Sequence, residues 1–264
     1  MPVATLNGID VYHERRGSGP PVLFLNGSGA TLAGMGLLLD LFSARVDLLA
    51  HDQRGLGRTA IPPGPYAMAD YAADAIALLD HVGWASARVV GISFGGMVAQ
   101  ELAVTVPDRV ERLALLCTSP GGPLPSYPLH ELTDLAPEAR RPRYLPLLDT
   151  RFTPEWLADP AHSADRGLAE FATQDEPEKS DEVRRGEREQ LDARRRHDVL
   201  DRLGVVTGPT LVAAGRYDGI APLANSEAIA AAITDAELRV YEGGHAFFAQ
   251  DPSALTDVLD FLAS

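Results

Sequence analysis

Apolar residues in this chain fall into short runs of four to eight, separated by longer stretches in which apolar positions recur at helical spacing. In the first half the runs lie near 3–6, 9–15, 22–26, 46–50, 87–92 and 112–117, and the helical patterns near 32–43, 66–82 and 94–106. Short strands alternating with helices specify a mainly parallel sheet, because a parallel connection must cross over and a helix is the usual way to span it. The first two strands are joined by Asn7-Gly8. That dipeptide suits a type I′ turn and predicts a hairpin at a sheet edge.

After Ser119 the rhythm breaks. The segment PGGPLPSYP carries four prolines and fits neither a long strand nor a helix. From about 125 to 203 the chain is polar, Arg- and Glu-rich and helical in pattern, as in EVRRGEREQLDARRRHDVLDRL, which reads as a solvated helix face. The alternation then resumes with PTLVAAG as a strand, a helix over 222–233, ELRVYEG as a strand and a final helix over 252–263. The expected fold is α/β, a mostly parallel eight-stranded sheet flanked by helices. Residues 1–120 and 204–264 form the core, and 121–203 form an inserted helical cap over one end of the sheet. In open α/β sheets, ligands bind beyond the strand C-termini.

Composition narrows the partners. The formal net charge of −14 argues against nucleic acid, whose phosphates need clustered Lys and Arg. Cys117, the single cysteine, excludes an intrachain disulfide and sits in the apolar run LALLCTS, where it reads as a small buried hydrophobe. The N-terminal stretch lacks the charged start and long apolar core of a signal peptide, and no apolar run reaches the roughly 20 residues of a membrane span. A cytoplasmic location with no membrane partner is the expectation by default. Oligomeric state is not legible.

Chemistry concentrates at the predicted strand ends. VLFLNGSGATLAG at 22–34 is an apolar run ending in a glycine-rich turn before a helix. Such a turn serves either a dinucleotide pyrophosphate or the oxyanion of a reacting carbonyl. The strongest local signal is VVGISFGGMVAQELA, in which Gly91-Ile92-Ser93-Phe94-Gly95 matches G-x-S-x-G between a strand and a helix. A nucleophilic serine on that sharp turn needs small flanking residues, and the helix N-terminus behind it favours developing negative charge. A serine also needs a base. His245, in YEGGHAFF, and Asp218, in GRYDGIAP, each follow a predicted strand and come in the order Ser, acid, His. Taken singly, Asp218 could cap the helix at 222–233, and His245 could be a turn residue like His13, His81 and His130. Together the three fit one arrangement, in which His245 takes the Ser93 proton and Asp218 fixes its tautomer.

With these residues in view, the chain resembles an α/β-hydrolase-fold protein with a helical cap, in texture closest to small bacterial esterases, lactonases and perhydrolase-like members. The similarity spans nearly the whole length. It includes HDQRGLGRT at 51–59, similar to the D-x-R-G-x-G-x-S/T loop after the fourth strand of that superfamily. The resemblance implies Ser93, Asp218 and His245 as a catalytic triad, with oxyanion donors in the N–H groups of Phe94 and Ser28. It implies no cofactor. One departure is Asn26-Gly27 in place of the usual His-Gly, although Asn can also donate and accept hydrogen bonds.

The dinucleotide reading fails on its own terms. G-x-G-x-x-G would place Gly27, Gly29 and then Leu32, where a small residue is needed, and it leaves the triad unexplained even though Asp52 could imitate a ribose-binding acid. No metal motif emerges, and His197-Asp198 in the polar helical stretch reads as surface. The expected activity is hydrolysis of a small or medium apolar ester or lactone through an acyl-enzyme. Asn26, Gly27, Leu32, Met97, Tyr127, Trp156 and Phe247 are the candidate substrate contacts, Trp156 being equally suited to anchoring the cap. On the same scaffold, carbon–carbon bond hydrolysis, cofactor-free perhydrolysis or a non-enzymatic ligand receptor are the alternatives.

Overall fold

The computed structural model describes residues 2–174 and 178–264. Eight strands form one sheet: β1 (Val3–Leu6), β2 (Ile9–Gly17), β3 (Pro21–Leu25), β4 (Asp47–His51), β5 (Ala87–Ile92), β6 (Val110–Leu116), β7 (Thr210–Gly215) and β8 (Glu237–Tyr241). Their order is β1-β2-β4-β3-β5-β6-β7-β8. β1 pairs with β2, and β2 with β4, antiparallel; the other pairings are parallel. Asn7 and Gly8 both have positive φ, as a type I′ hairpin turn requires, and Leu6 faces Ile9 across it.

Ten helices accompany the strands among the described residues: α1 (Gly36–Ser43), α2 (Met68–His81), α3 (Phe94–Thr105), α4 (Pro137–Leu148), α5 (Pro154–Ala158), α6 (Ser163–Ala172), α7 (Asp181–Arg195), α8 (Leu223–Ala232), α9 (Phe247–Gln250) and α10 (Pro252–Ala263). The two-residue period of the strands divides the core. Leu23, Leu25 and Val89 face a cluster with α2, α3 and α8. Val22, Phe24 and Val90 face the opposite cluster with α1 and α10.

Several boundaries differ from the sequence reading. The helix expected over 32–43 is a short 3₁₀ turn at Leu32–Gly34 followed by α1, because the glycines at 34 and 36 interrupt the apolar spacing. α8 begins at Leu223, with Pro222 as its N-cap. Helices α4 to α7 lie between β6 and β7, and both ends of this insertion meet at a stem. There Gly122 N–H donates to the His197 carbonyl at 3.0 Å, and Val199 N–H to Pro120 at 3.0 Å. Past the stem, Leu203 packs in the main core, so residues from about 200 onward belong to the body rather than to the insertion. His197, read from sequence as a surface residue, is buried, and neither ring nitrogen has a hydrogen-bond partner among the described residues. The sequence pattern misplaces it because the polar character of α7 stops two residues short of the stem. Among the described residues, no helix is long and apolar enough to cross a membrane.

Candidate active site at the strand C-termini

Ser93 sits between β5 and α3 with φ 54° and ψ −114°, a conformation a non-glycine residue adopts only when its surroundings impose it. The imposition is steric. A Cβ on Gly91 would lie 2.3 Å from the Gly95 carbonyl oxygen, and one on Gly95 would lie 2.0 Å from that of Leu25. β5, α3 and the end of β3 therefore approach more closely than any side chain would permit. Ser93 N–H donates to Leu116 in β6 at 2.8 Å, and Thr118 Oγ1 donates to the Ser93 carbonyl at 2.7 Å, so the turn is pinned from both sides. Cys117 is buried, and burial among apolar groups pushes its thiol pKa well up.

The loops after β7 and β8 bring two partners to this serine. His245 Nε2 lies 3.0 Å from Ser93 Oγ. On the other side of the ring, Nδ1 lies 2.8 Å from Asp218 Oδ2. The second carboxylate oxygen, Oδ1, accepts the N–H groups of Ile220 and Ala221, both at 2.8 Å. Asp218 is thus oriented by its own loop and its side chain is fully buried. Both loops are also held from the insertion. The final carbonyls of α4 would be orphaned at a helix C-terminus. Leu147 instead accepts Gly219 N–H at 3.0 Å, and Leu148 accepts His245 N–H at 2.6 Å.

The turn after β3 completes this end of the sheet. Gly27 lies against the serine, since a Cβ there would be 3.7 Å from Ser93 Cβ. Asn26 is buried; its carbonyl accepts Gln53 Nε2–H at 2.8 Å. Asp52 ties the turn to the 51–59 loop: Oδ1 accepts Leu32 N–H at 2.7 Å and Oδ2 accepts Arg58 N–H at 2.9 Å. Asp52 therefore holds two protein backbones, and both carboxylate oxygens are committed to them rather than to a ribose. Phe94 opens α3, so its N–H belongs to the first turn, where donors have no intrahelical acceptor. Ser28 lies in the turn with its Oγ buried and without a hydrogen-bond partner among the described residues.

A cavity of about 650 Å³ opens beside that turn, with Ser28 and Gly29 in its wall and α4, α6 and α7 around it. Its charged lining comprises Glu138, Arg140, Arg141, Glu170, Lys179 and Glu187. Apolar side chains, Leu129, Leu132, Ala172 and Leu191, share that lining with the charged groups. Three candidate contacts are corrected. Leu32 and Met97 are each 1% exposed and Phe247 is 0% exposed, all within the packed core, where Phe247 stacks on Tyr241. Trp156 packs inside the insertion, stacked on His162 at 3.5 Å and donating to Asp165 at 2.9 Å. Tyr127 is half-buried, with its backbone bonded to Ile220 and to Arg194. Sequence reasoning overlooked Gln190 and Arg194, buried on one face of α7. Their four-residue spacing was the available signal, obscured by the charged residues around them. Burial lowers the Arg194 pKa to about 10 against the opposing charge of Asp218. Among the described residues, no three His, Cys, Asp or Glu side chains are grouped to hold a metal ion.

A serine–histidine–aspartate contact chain at the end of such a sheet is the arrangement of a hydrolase. The chain belongs to the alpha/beta hydrolase fold family, whose model matches residues 20–252. It is 31% identical to RutD of Variovorax paradoxus, a protein named for carbamate hydrolysis, over 96% of each chain. It is 26% identical to 3-oxoadipate enol-lactonase 2 of Acinetobacter baylyi, over 91% of this chain and 87% of that one. The structure of an enol-lactonase from Burkholderia xenovorans superimposes with a TM-score of 0.81 at 22% identity, covering all of both chains.

Proposed function

We propose that this chain is a serine hydrolase that cleaves a carboxylic ester or lactone through an acyl-enzyme. The observation that carries the reading is the 3.0 Å contact of Ser93 Oγ with an imidazole whose other nitrogen is held by a buried carboxylate. Ser93 Oγ attacks the carbonyl carbon while its proton passes to His245 Nε2. Asp218 keeps Nδ1 protonated and stabilises the imidazolium. The N–H groups of Phe94 and Ser28 hold the tetrahedral oxyanion, each such donor supplying about 3–4 kcal/mol in the transition state. The C–O bond breaks, and the His245 proton goes to the leaving alkoxide. Water, deprotonated by His245, then attacks the acyl carbon and frees Ser93.

The inserted helices line a cavity beside Ser28 with both apolar and charged side chains, and a small or medium apolar ester or lactone is the proposed substrate. The relatives' names, carbamate hydrolase and enol-lactonase, both describe attack at an acyl carbon. The test is Ser93→Ala assayed on p-nitrophenyl acetate, with fluorophosphonate labelling in parallel. Turnover should fall by at least about 10⁴-fold and labelling should vanish, with the thermal midpoint retained. Equal hydrolysis by variant and parent rejects the reading, and an unlabelled parent identifies a ligand-binding protein instead.

A further inference from the structure

We infer that Gln190, on the inserted helix α7, is a positioning residue for the oxyanion turn; the inference rests on the serine hydrolase reading above. Gln190 is 161 residues from the turn in sequence, yet its Oε1 accepts Gly29 N–H at 2.8 Å. The side chain is 0% exposed. Gly29 directly follows Ser28 and has φ +69°, so the peptide linking the two residues is the one whose N–H this bond holds. The Ser28 N–H sits one peptide earlier in the same tight turn. Rotation of either peptide would re-aim it, and a hydrogen-bond donor re-aimed away from an oxyanion loses its value.

Other contacts of the turn leave this job to Gln190. Asp52 holds Leu32, beyond the turn, and Gln53 holds the Asn26 carbonyl, before it. Between them the Asn26 side chain donates to the Ala30 carbonyl at a long 3.5 Å, while Gln190 holds Gly29, the residue next to Ser28, at 2.8 Å. A buried amide is costly unless its polar atoms are bonded. Here Oε1 is bonded and Nε2 has no partner among the described residues, although Gln190 lines the cavity beside Ser28. A residue present only for packing would be better served by Leu or Met at this position. The insertion thereby does more than wall the cavity: it brings a fixed acceptor to the backbone on which transition-state stabilisation depends.

The experiment is Gln190→Met, which keeps the volume and helix propensity and removes the acceptor. Steady-state hydrolysis of p-nitrophenyl acetate, inhibition by a trifluoromethyl ketone and thermal melting are measured on the full chain. The expected result is a kcat lowered about 10- to 100-fold, the range for loss of an outer supporting contact. KM should stay within about threefold, and trifluoromethyl ketone affinity should fall in parallel with kcat/KM, as it must for an interaction realised in the transition state. A kcat within about threefold of the parent, or a loss confined to KM, overturns the inference. Gln190→Ala repeats the test without overpacking; if both variants unfold, Gln190 is a packing residue and the inference falls. Where the parent and Ser93→Ala hydrolyse the ester equally, the hydrolase reading has failed and takes this inference with it. Loss of activity in Ser93→Ala with full activity in Gln190→Met refutes the role of Gln190 alone.

Discussion

The elbow at Ser93 and the wall formed by α7 meet the same turn, at Gly27 and at Gly29, and are built by different means. The elbow is largely backbone against backbone: Gly91 and Gly95 leave no room for a Cβ against the backbone of α3, Leu25 and Asn26, and Gly96 leaves none against the Thr118 side chain. α7 approaches closely once, where a Cβ on Gly186 would lie 2.1 Å from the Gly55 carbonyl. Elsewhere it reaches the body through side chains, Gln190 to Gly29, Arg185 to Ile61 and Pro62, and Arg196 just past its end to Tyr66. Steric exclusion fixes a geometry without any choice of partner. Side-chain hydrogen bonds fix it only while each partner is present. Chemistry common to a fold is suited to the first kind of construction, and a substrate-specific wall to the second.

The largest disturbance falls on the elbow. Gly95→Ala would place a methyl 2.0 Å from Leu25 O and 2.6 Å from Asn26 O, both in the backbone that leads into the turn after β3. Relief requires moving β3 or α3, at a cost of about 3 kcal/mol, the upper end of the usual overpacking range. The expected outcome is a urea midpoint well below the parent's and no measurable ester turnover. Parental turnover in this variant would show that the elbow tolerates expansion and that its glycines are incidental.

The same contrast decides what the sequence reveals. Gly91, Ser93 and Gly95 are neighbours in the chain and their constraint is local, so the elbow was legible, as were Asp218 and His245 at the ends of periodic apolar runs. Asn7-Gly8 likewise announced its hairpin. The wall was not legible. Gln190 reads as one more polar residue in an Arg/Glu-rich helix until the fold brings Gly29 to it. Leu32 and Phe247 read as pocket residues because they adjoin the turn and His245, yet alternate packing directions send both into the core. Asp52 could be placed in a motif from sequence, but its two backbone partners depend on how the 51–59 loop folds against the turn after β3.

A smaller effect is expected where the wall meets the body by steric contact. Gly186→Ala gains about 1 kcal/mol in helix propensity and loses more by meeting Gly55, for a net cost of about 1–2 kcal/mol. The displaced α7 carries Gln190 with it, so kcat should fall, by less than in Gln190→Met. Fluorophosphonate labelling of Ser93 should persist, because the elbow does not depend on α7. Loss of labelling in the folded variant would mean that the two regions are one unit and would dissolve the comparison.

Acid separates the regions most gently, with no effect at neutral pH. Each side holds one buried imidazole whose pKa is depressed to about 4, His51 at the end of β4 and His197 at the stem of the insertion. Desolvation is the main cause in both. Asp74 and Asp52 oppose it at His51 while His13 adds to it; Glu101 opposes it at His197 while Arg202 adds to it. The folded chain keeps both rings neutral, whereas the unfolded chain protonates them near 6.5, so the unfolded state binds more protons between these values. Stability is therefore complete above about pH 6.5, declines as the pH falls towards 4 and loses nothing further from these groups below that. Carboxylates also contribute to acid unfolding, so the test is a difference. The His197 ring has no hydrogen bond to lose among the described residues, and His197→Leu should narrow the gap between urea midpoints at pH 7 and pH 4.5 while leaving the His51 share in place. An unchanged gap would show that water reaches the stem before the sheet gives way, making the insertion's attachment looser than the buried imidazole implies.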